Sequence, residues 1–427
     1  MFNYLPKSVP VRASLRVLLK RAPLKTAGSV LAFLLFSTGV HAGPTEQAKR
    51  IHERLTGVIP SASVLDDMVD EINGTDVLID GITGGEGAAL VAMENEAFYS
   101  ATIKNWVAPW TNRDQEVFVP LNDYTATVMG VIRDESDFRT ILYDDVLYTS
   151  NAGGLPAYSI SNNDHYEAIE SQGVSLRDTL TRTTQAGIPS DATAGVMTTR
   201  AAAEAFFVDG TNRAMFRYTL LNHMCRDLEQ VQDSSRSPDR IRQDVSRSPG
   251  GDSRVFLNNC ITCHSGMDPL AQAFAYYDFD NDETDEDGNA RTPSNSIVYN
   301  SAGQTDPVTG TRVNRKYHLN ATTFPYGYVT TNENWENYWR SGPNSLLGWD
   351  SGLSGSGSGA KSMGMELAHS EAFAQCQVEK VFKNVCLRDP INAADIAELS
   401  AQTSVFQSNN YNLKRVFAAS ADYCKEP

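Results

Sequence analysis

No apolar run in this 427-residue chain is long enough to cross a membrane as a helix. Strict period-two alternation is scarce in the N-terminal half, which reads as mainly helical, and no internal repeat is evident. There is no Gly-rich phosphate loop, no Ser/His/Asp set and no paired-carboxylate constellation, so nothing points to nucleotide binding or ordinary hydrolysis. Cysteine is limited to six residues and histidine to seven. What is present is an ordinary globular composition, 41% hydrophobic and 21% charged, too apolar for a disordered chain.

Acidic residues are also missing from the beginning: none precedes Glu46, whereas Lys7, Arg12, Arg16, Lys20, Arg21 and Lys25 form a basic stretch. The apolar run from Ala27 to Val40 follows and ends in Val40-His41-Ala42, a small-residue cleavage pattern. Residues 1–42 are therefore expected to be a Sec-type signal peptide. With no Cys after the run and no twin-Arg pair, neither a lipid anchor nor Tat export is expected. Loss of this segment takes six basic residues and no acid. That leaves 30 Lys and Arg against 52 Asp and Glu, a formal charge of −22. Such a chain is not expected to bind nucleic acid, and a partner protein is expected to present a basic docking face. The expected location is periplasmic or secreted, with no transmembrane anchor after cleavage.

The most informative stretch is Cys260-Ile261-Thr262-Cys263-His264. C-x-x-C-H is the attachment signature of c-type haem. Two thiols three residues apart share one face of a helical turn and can form thioethers to one porphyrin. The adjacent imidazole then reaches the iron as its proximal ligand. A zinc site would need a second Cys/His pair at matching spacing, which the sequence lacks. One covalent haem c is expected, on Cys260, Cys263 and His264.

The other four cysteines are Cys225, Cys376, Cys386 and Cys424. Residues 377–385 read as continuous helix, which separates Cys376 from Cys386 by about 15 Å, beyond the roughly 7 Å that a disulfide spans. Cys225 is therefore expected to pair with one of these two and Cys424 with the other.

Arg236, Arg240, Arg242, Arg247 and Arg254 crowd the segment before the haem motif. Guanidinium groups pair well with carboxylates, so Arg247 and Arg254 are candidates for the haem propionates, against local ion pairing in a surface loop. After the motif, Asp278, Asp280 and Asp282 alternate as in a calcium loop. Glu283 stands where such a loop needs Gly, and Asn289 where it needs Glu, so a solvated acidic turn is favoured over calcium.

Helices are expected over residues 45–57 with Thr45 as N-cap, after Pro60, over 88–104, 124–147, 200–231 with a break at Gly210, and 366–387. One or two more follow Asn392, a possible N-cap.

The haem's chemistry depends on the ligand opposite His264. Met267 is only three residues away and lies on the same side of the iron. Met363 and Met365, in a Gly-flanked loop before a C-terminal helix, are the leading candidates; His369 and His318 are alternatives, as is an open site. Thioether ligation suits electron transfer, and an open position suits peroxide or oxygen chemistry.

The stretch Thr262-Cys263-His264 with Met267-Asp268-Pro269-Leu270, Phe274 and Phe279-Asp280 resembles the haem-c segment of large exported proteins of planctomycetes and some proteobacteria. Those proteins are strings of uncharacterised domains. Residues 367–376 are similar to that family's closing helical domain, and residues 50–57 resemble its preceding domain more loosely. The resemblance implies a mainly α protein built around a mono-haem core. Its expected parts are a helical N-terminal domain (43–235), a class-I-like cytochrome c haem segment (236–345) and a helical C-terminal domain (346–427). The acidic insertion after Asp280 departs from the family pattern. Electron transfer is the expected function. A haem enzyme of peroxidase or oxygenase type, or a surface-polymer-binding protein with a haem outlet, are the alternatives.

Overall fold

Helix termini are where the sequence most directly dictates this structure, a computed structural model that describes residues 42–75, 81–208, 210–284 and 288–426. The signal segment expected over residues 1–42 lies, up to His41, outside the described residues. Helix α1 (Pro44–Thr56) starts with Pro at N1, where a missing N–H costs nothing. Gly43, not Thr45, is its N-cap, and Gly57 closes it in the left-handed region at φ 72°. Helix α2 (Ala62–Asn73) starts from Ser61, whose hydroxyl accepts from the Val64 N–H.

The helix expected over 88–104 is two pieces. Helix α3 (Gly84–Ala92) ends before a turn at Met93–Asn95, and a π-type stretch (Phe98–Ile103) then leads into the short α4 (Lys104–Val107). Helix α5 (Asp123–Arg133) is also shorter than the expected 124–147. It stops where Glu135 turns to φ 52°, and the chain then enters strand β1 (Leu147–Ser150). After α6 (Asp164–Ser171) and α7 (Leu176–Thr179), strand β2 (Leu180–Thr183) pairs antiparallel with β1, Tyr148 opposite Arg182.

Helices α8 (Arg200–Phe206) and α9 (Arg213–Met224) are the expected pair interrupted around Gly210 (φ 59°), but α9 stops at Met224, short of the expected 231, where Cys225 turns to φ 51°. The turn α10 (Ser253–Val255) runs through a wider π-type turn, Phe256–Cys260, into α11 (Ile261–Ala271). Two more antiparallel ribbons follow: β3 (Tyr277–Asp280) with β4 (Ser296–Tyr299), and β5 (Asn334–Glu336) with β6 (Ser356–Ser358).

The segment holding Met363 and Met365 is not the expected loop but helix α12 (Gly359–Ala368). Gly364 suits it to close packing, since a Cβ there would lie 1.8 Å from the Leu142 carbonyl oxygen. Helix α13 (Glu371–Cys386) follows Ser370, which caps it through the Phe373 N–H. Helix α14 (Ala393–Ser408) begins at the expected Asn392 cap, and α15 (Leu413–Tyr423) ends the series.

The fold is mainly α. Its principal apolar core is continuous across the three expected segments, with Phe98, Phe216, Met267, Phe274, Met363, Phe373 and Phe417 all inside it. Two disulfides tie the C-terminal helices down: Cys225–Cys376, with Cα atoms 5.3 Å apart, and Cys386–Cys424, at 5.6 Å. This is one of the connectivities left open by the length of α13. No helix among the described residues is long and apolar enough to cross a membrane.

Candidate haem-attachment site

The C-x-x-C-H starts at Cys260, the last residue of the π-type turn, and runs into the first turn of α11, the less buried end of that helix. Ser265, Gly266, Met267, Asp268 and Leu270 are buried. Cys260, Cys263 and His264 are half-buried, and both cysteines are free thiols. The thiols therefore sit at a boundary where a group can approach from outside. Just before them, Val255 and Leu257 are 38% and 57% exposed, leaving apolar surface uncovered beside Cys260. The wider turn at Phe256–Cys260 is a geometry frequent at functional sites. Burial pushes the Cys263 thiol up, and its sulfur lies 3.7 Å from the Leu228 carbonyl oxygen.

His264 is held from behind. Asp268 is one helical turn on, the i,i+4 neighbour on the same face, and its Oδ1 lies 3.1 Å from His264 Nδ1. With Nδ1–H donating to that carboxylate, the lone pair of Nε2 faces away from Asp268, and Nε2 has no hydrogen-bond partner among the described residues. This is the tautomer a metal ligand needs.

Asp268 is fully buried and is itself clamped. Arg213 donates to both its oxygens, at 2.7 and 2.9 Å, and to both oxygens of Asp244, at 2.5 and 3.0 Å. The Arg242 N–H lies 3.3 Å from Oδ2 of Asp268 and the guanidinium 3.7 Å from Oδ1. Burial works against the Asp268 carboxylate, but Arg213 and Arg242 outweigh it and hold the group well below the usual carboxylate range. Arg213 is the first residue of α9, and Asn212 fixes that start by donating to the Phe274 and Tyr277 carbonyls at 2.8 and 2.9 Å. Trp339, fully buried, packs against the helix at Gly266, where a Cβ would meet the indole nitrogen at 1.9 Å.

Sequence reasoning missed Asp268, Arg213, Asp244 and Arg242 as a unit. Its one available signal was the i,i+4 spacing of His264 and Asp268; the other partners arrive from distant segments.

The arginines expected at the propionates are engaged with the protein. Arg247 lies between the Phe256 and Phe324 rings, 4.7 and 4.4 Å from their centroids, and donates to the Val245 and Ile241 carbonyls. Arg254 is an exposed side chain paired with Asp252 at 2.7 Å. Met363 is fully buried in α12, which packs against residues 138–142, 272–274 and the β5–β6 ribbon, and Met365 is half-buried. His369 Nδ1 lies 2.8 Å from the Met365 carbonyl, and His318 Nε2 2.9 Å from that of Thr330.

The acids of the calcium-like pattern each face a cation. Asp278 accepts from Lys316 at 2.6 Å, Asp280 from Arg291, and Asp282 pairs with Arg315 at 3.5 Å. Residues 285–287 of that loop lie outside the described residues. Among the described residues, no group of three or more His, Cys, Asp or Glu side chains is placed to hold a metal ion. A porphyrin brings four nitrogens of its own, so two half-buried thiols and one oriented imidazole are donors that would suit a haem. Comparison of the chain with models of known families, with curated proteins and with solved structures found no match.

Proposed function

We propose that the chain binds one haem covalently through Cys260 and Cys263, takes His264 Nε2 as its proximal ligand, and transfers electrons outside the cytoplasm. The observation that carries this is the juxtaposition of two free, half-buried thiols with a histidine whose Nδ1 is locked onto a buried carboxylate. When bound, the haem supplies one-electron chemistry at its iron. The protein's own part is orientation: Asp268 fixes the plane and tautomer of the imidazole, and Arg213 and Arg242 keep Asp268 charged.

Two disulfides are compatible with an oxidising, extracellular compartment and so support export. Membership of the exported planctomycete and proteobacterial haem-c proteins belongs to the same proposal, as does a redox partner with a basic docking face. The carboxylate on Nδ1 also favours a second reading, a haem enzyme, because it strengthens the proximal ligand.

Expression with a cytochrome c maturation system tests these readings. The expected product shows one haem per chain by mass and an alkaline pyridine haemochrome spectrum of the c type, and Cys260→Ala/Cys263→Ala loses both. A low-spin spectrum with a sulfur-to-iron charge-transfer band, absent in Met363→Ala or Met365→Ala, supports the carrier. A high-spin resting form that binds cyanide supports the enzyme. A periplasmic product without covalent haem refutes both.

A further inference from the structure

A cavity of about 140 Å³ lies between the first turn of α3, one side of α14 and the first two turns of α15. Its volume is close to the roughly 150 Å³ that takes one benzene-sized molecule. Val405 and Phe406 of α14 and Val416 of α15 give it an apolar wall. Its charges are Glu86, Glu398 and Arg415, all half-buried.

Arg415 stands apart from the other arginines. Each of the others in the described residues makes a hydrogen bond or ion pair through its guanidinium; that of Arg415 makes none, and its Nη1 is buried. A buried donor without an acceptor is costly. Helix α15 does not need the charge either, because a cation in the first turn opposes the helix dipole.

The acids complete the picture. Among the described residues Glu86 also makes no hydrogen bond or ion pair. Burial and the nearby Asp422 and Glu398 raise its carboxyl above the ordinary range, against the pull of Arg415. Glu398 is held in place: buried Ser420 donates to Gln402, and Gln402 donates to Glu398, each at 2.9 Å. One cation and two acids thus line a single small cavity, and no ion pair joins them.

This arrangement selects a ligand by exclusion. A simple carboxylate would meet Arg415 but face both acids. A simple amine would suit the acids and leave the buried nitrogen of Arg415 bare. A zwitterion answers all three groups, since an ammonium has three N–H donors to share between two carboxylates and a guanidinium takes a carboxylate. The apolar wall and the volume limit the remainder of the ligand to a few carbons.

We propose that this cavity binds a small α-amino acid with a short apolar side chain, its carboxylate on Arg415 and its ammonium on Glu86 and Glu398. The site does not depend on haem, so its test stands apart from the electron-transfer reading.

Calorimetric titration of the folded chain with L-alanine, L-valine and L-leucine tests it. Isovalerate and isobutylamine, which are valine without its amine and valine without its carboxylate, are the single-charge comparisons. At least one amino acid is expected to bind saturably, and both comparison compounds at least about tenfold more weakly. Arg415→Met is expected to weaken the binding about 10- to 100-fold and Glu398→Gln about tenfold. Because the Arg415 guanidinium bonds nothing in the free chain, Arg415→Met is expected to keep or raise the thermal midpoint, which loss of a structural arginine would lower. Arg182→Gln, at an exposed ion pair elsewhere, is expected to leave binding unchanged. The proposal is overturned by no saturable binding of any of the three amino acids up to about 10 mM, by equal or tighter binding of either single-charge compound, or by an Arg415→Met chain that loses stability but not affinity.

Discussion

Replacing Asp268 by Asn isolates the electrostatic part of the site, because the side chain keeps its shape and loses only its charge. In the native chain this carboxylate has three partners at once: Arg213 at 2.7 and 2.9 Å, His264 at 3.1 Å and the Arg242 backbone at 3.3 Å. Arg213 retains Asp244 after the substitution, but Arg242, 2% exposed, loses the carboxylate 3.7 Å away. Breaking a buried pair in this way costs about 3–5 kcal/mol, most of it the penalty of a stranded charge. Against a total stability of about 5–15 kcal/mol, that is a large fraction.

If the stranded charge is the cause, adding Arg242→Met should restore about 1–3 kcal/mol rather than deepen the loss. Urea unfolding followed by far-ultraviolet circular dichroism, with both disulfides intact and one cofactor state throughout, measures all four corners of this cycle. The slope against denaturant should stay constant, showing that only stability has changed. An Asp268→Asn loss below about 1 kcal/mol, or a double variant that simply adds the two single losses, would refute the reasoning.

Four other outcomes follow from the geometry. In the haem-loaded chain, Asp268→Asn should raise the midpoint potential, read by redox titration, since a neutral amide is a weaker acceptor for His264 and lowers its basicity. Burial raises the Glu333 carboxyl from its ordinary range to about 7, despite Tyr299 and Arg312 pulling the other way. The folded state therefore binds the proton more tightly than the unfolded one. Stability should fall by about 3 kcal/mol as pH rises from the ordinary carboxylate range through about 7, a slope that Glu333→Gln abolishes in pH-resolved unfolding. Gly266→Ala should cost about 1–3 kcal/mol by thermal or urea unfolding, because its methyl collides with the buried Trp339 indole. Removing Cys225–Cys376, which spans 151 residues, should destabilise by about 1 kcal/mol more than removing Cys386–Cys424, which spans 38, on the loop-entropy scale.

The legible part of the site was its local part. Two thiols and an imidazole within five residues show themselves through spacing alone, and so did the break at Gly210 and the Asn392 cap, which depend on neighbouring atoms. The clamp behind His264 was not legible, since Arg213 and Asp268 are 55 residues apart and only the docking of α9 on α11 brings them together. Helix α5 ended early for a similar reason. Residues 134–147 carry apolar side chains at helical spacing, but Tyr148 is taken into the β1–β2 ribbon and lies against Gly130 on α5. The Gly-flanked segment around Met363 read as a loop because glycine disfavours helix, whereas here Gly364 lets α12 approach Leu142 closely.

The arrangement of sulfur along the chain also sets a problem of timing. Cys260 and Cys263 lie between the two ends of the Cys225–Cys376 bridge, so the native product has two oxidised pairs and two thiols reserved inside the larger ring. The four cysteines outside the motif can pair in three ways, and any bond that uses Cys260 or Cys263 would block thioether formation there. Helix α13 narrows the choice by holding Cys376 and Cys386 ten residues apart on one rigid rod. If haem attaches at Cys260 and Cys263 as proposed, maturation is a race in which the C-terminal helices must dock and claim their partners before oxidation reaches the motif.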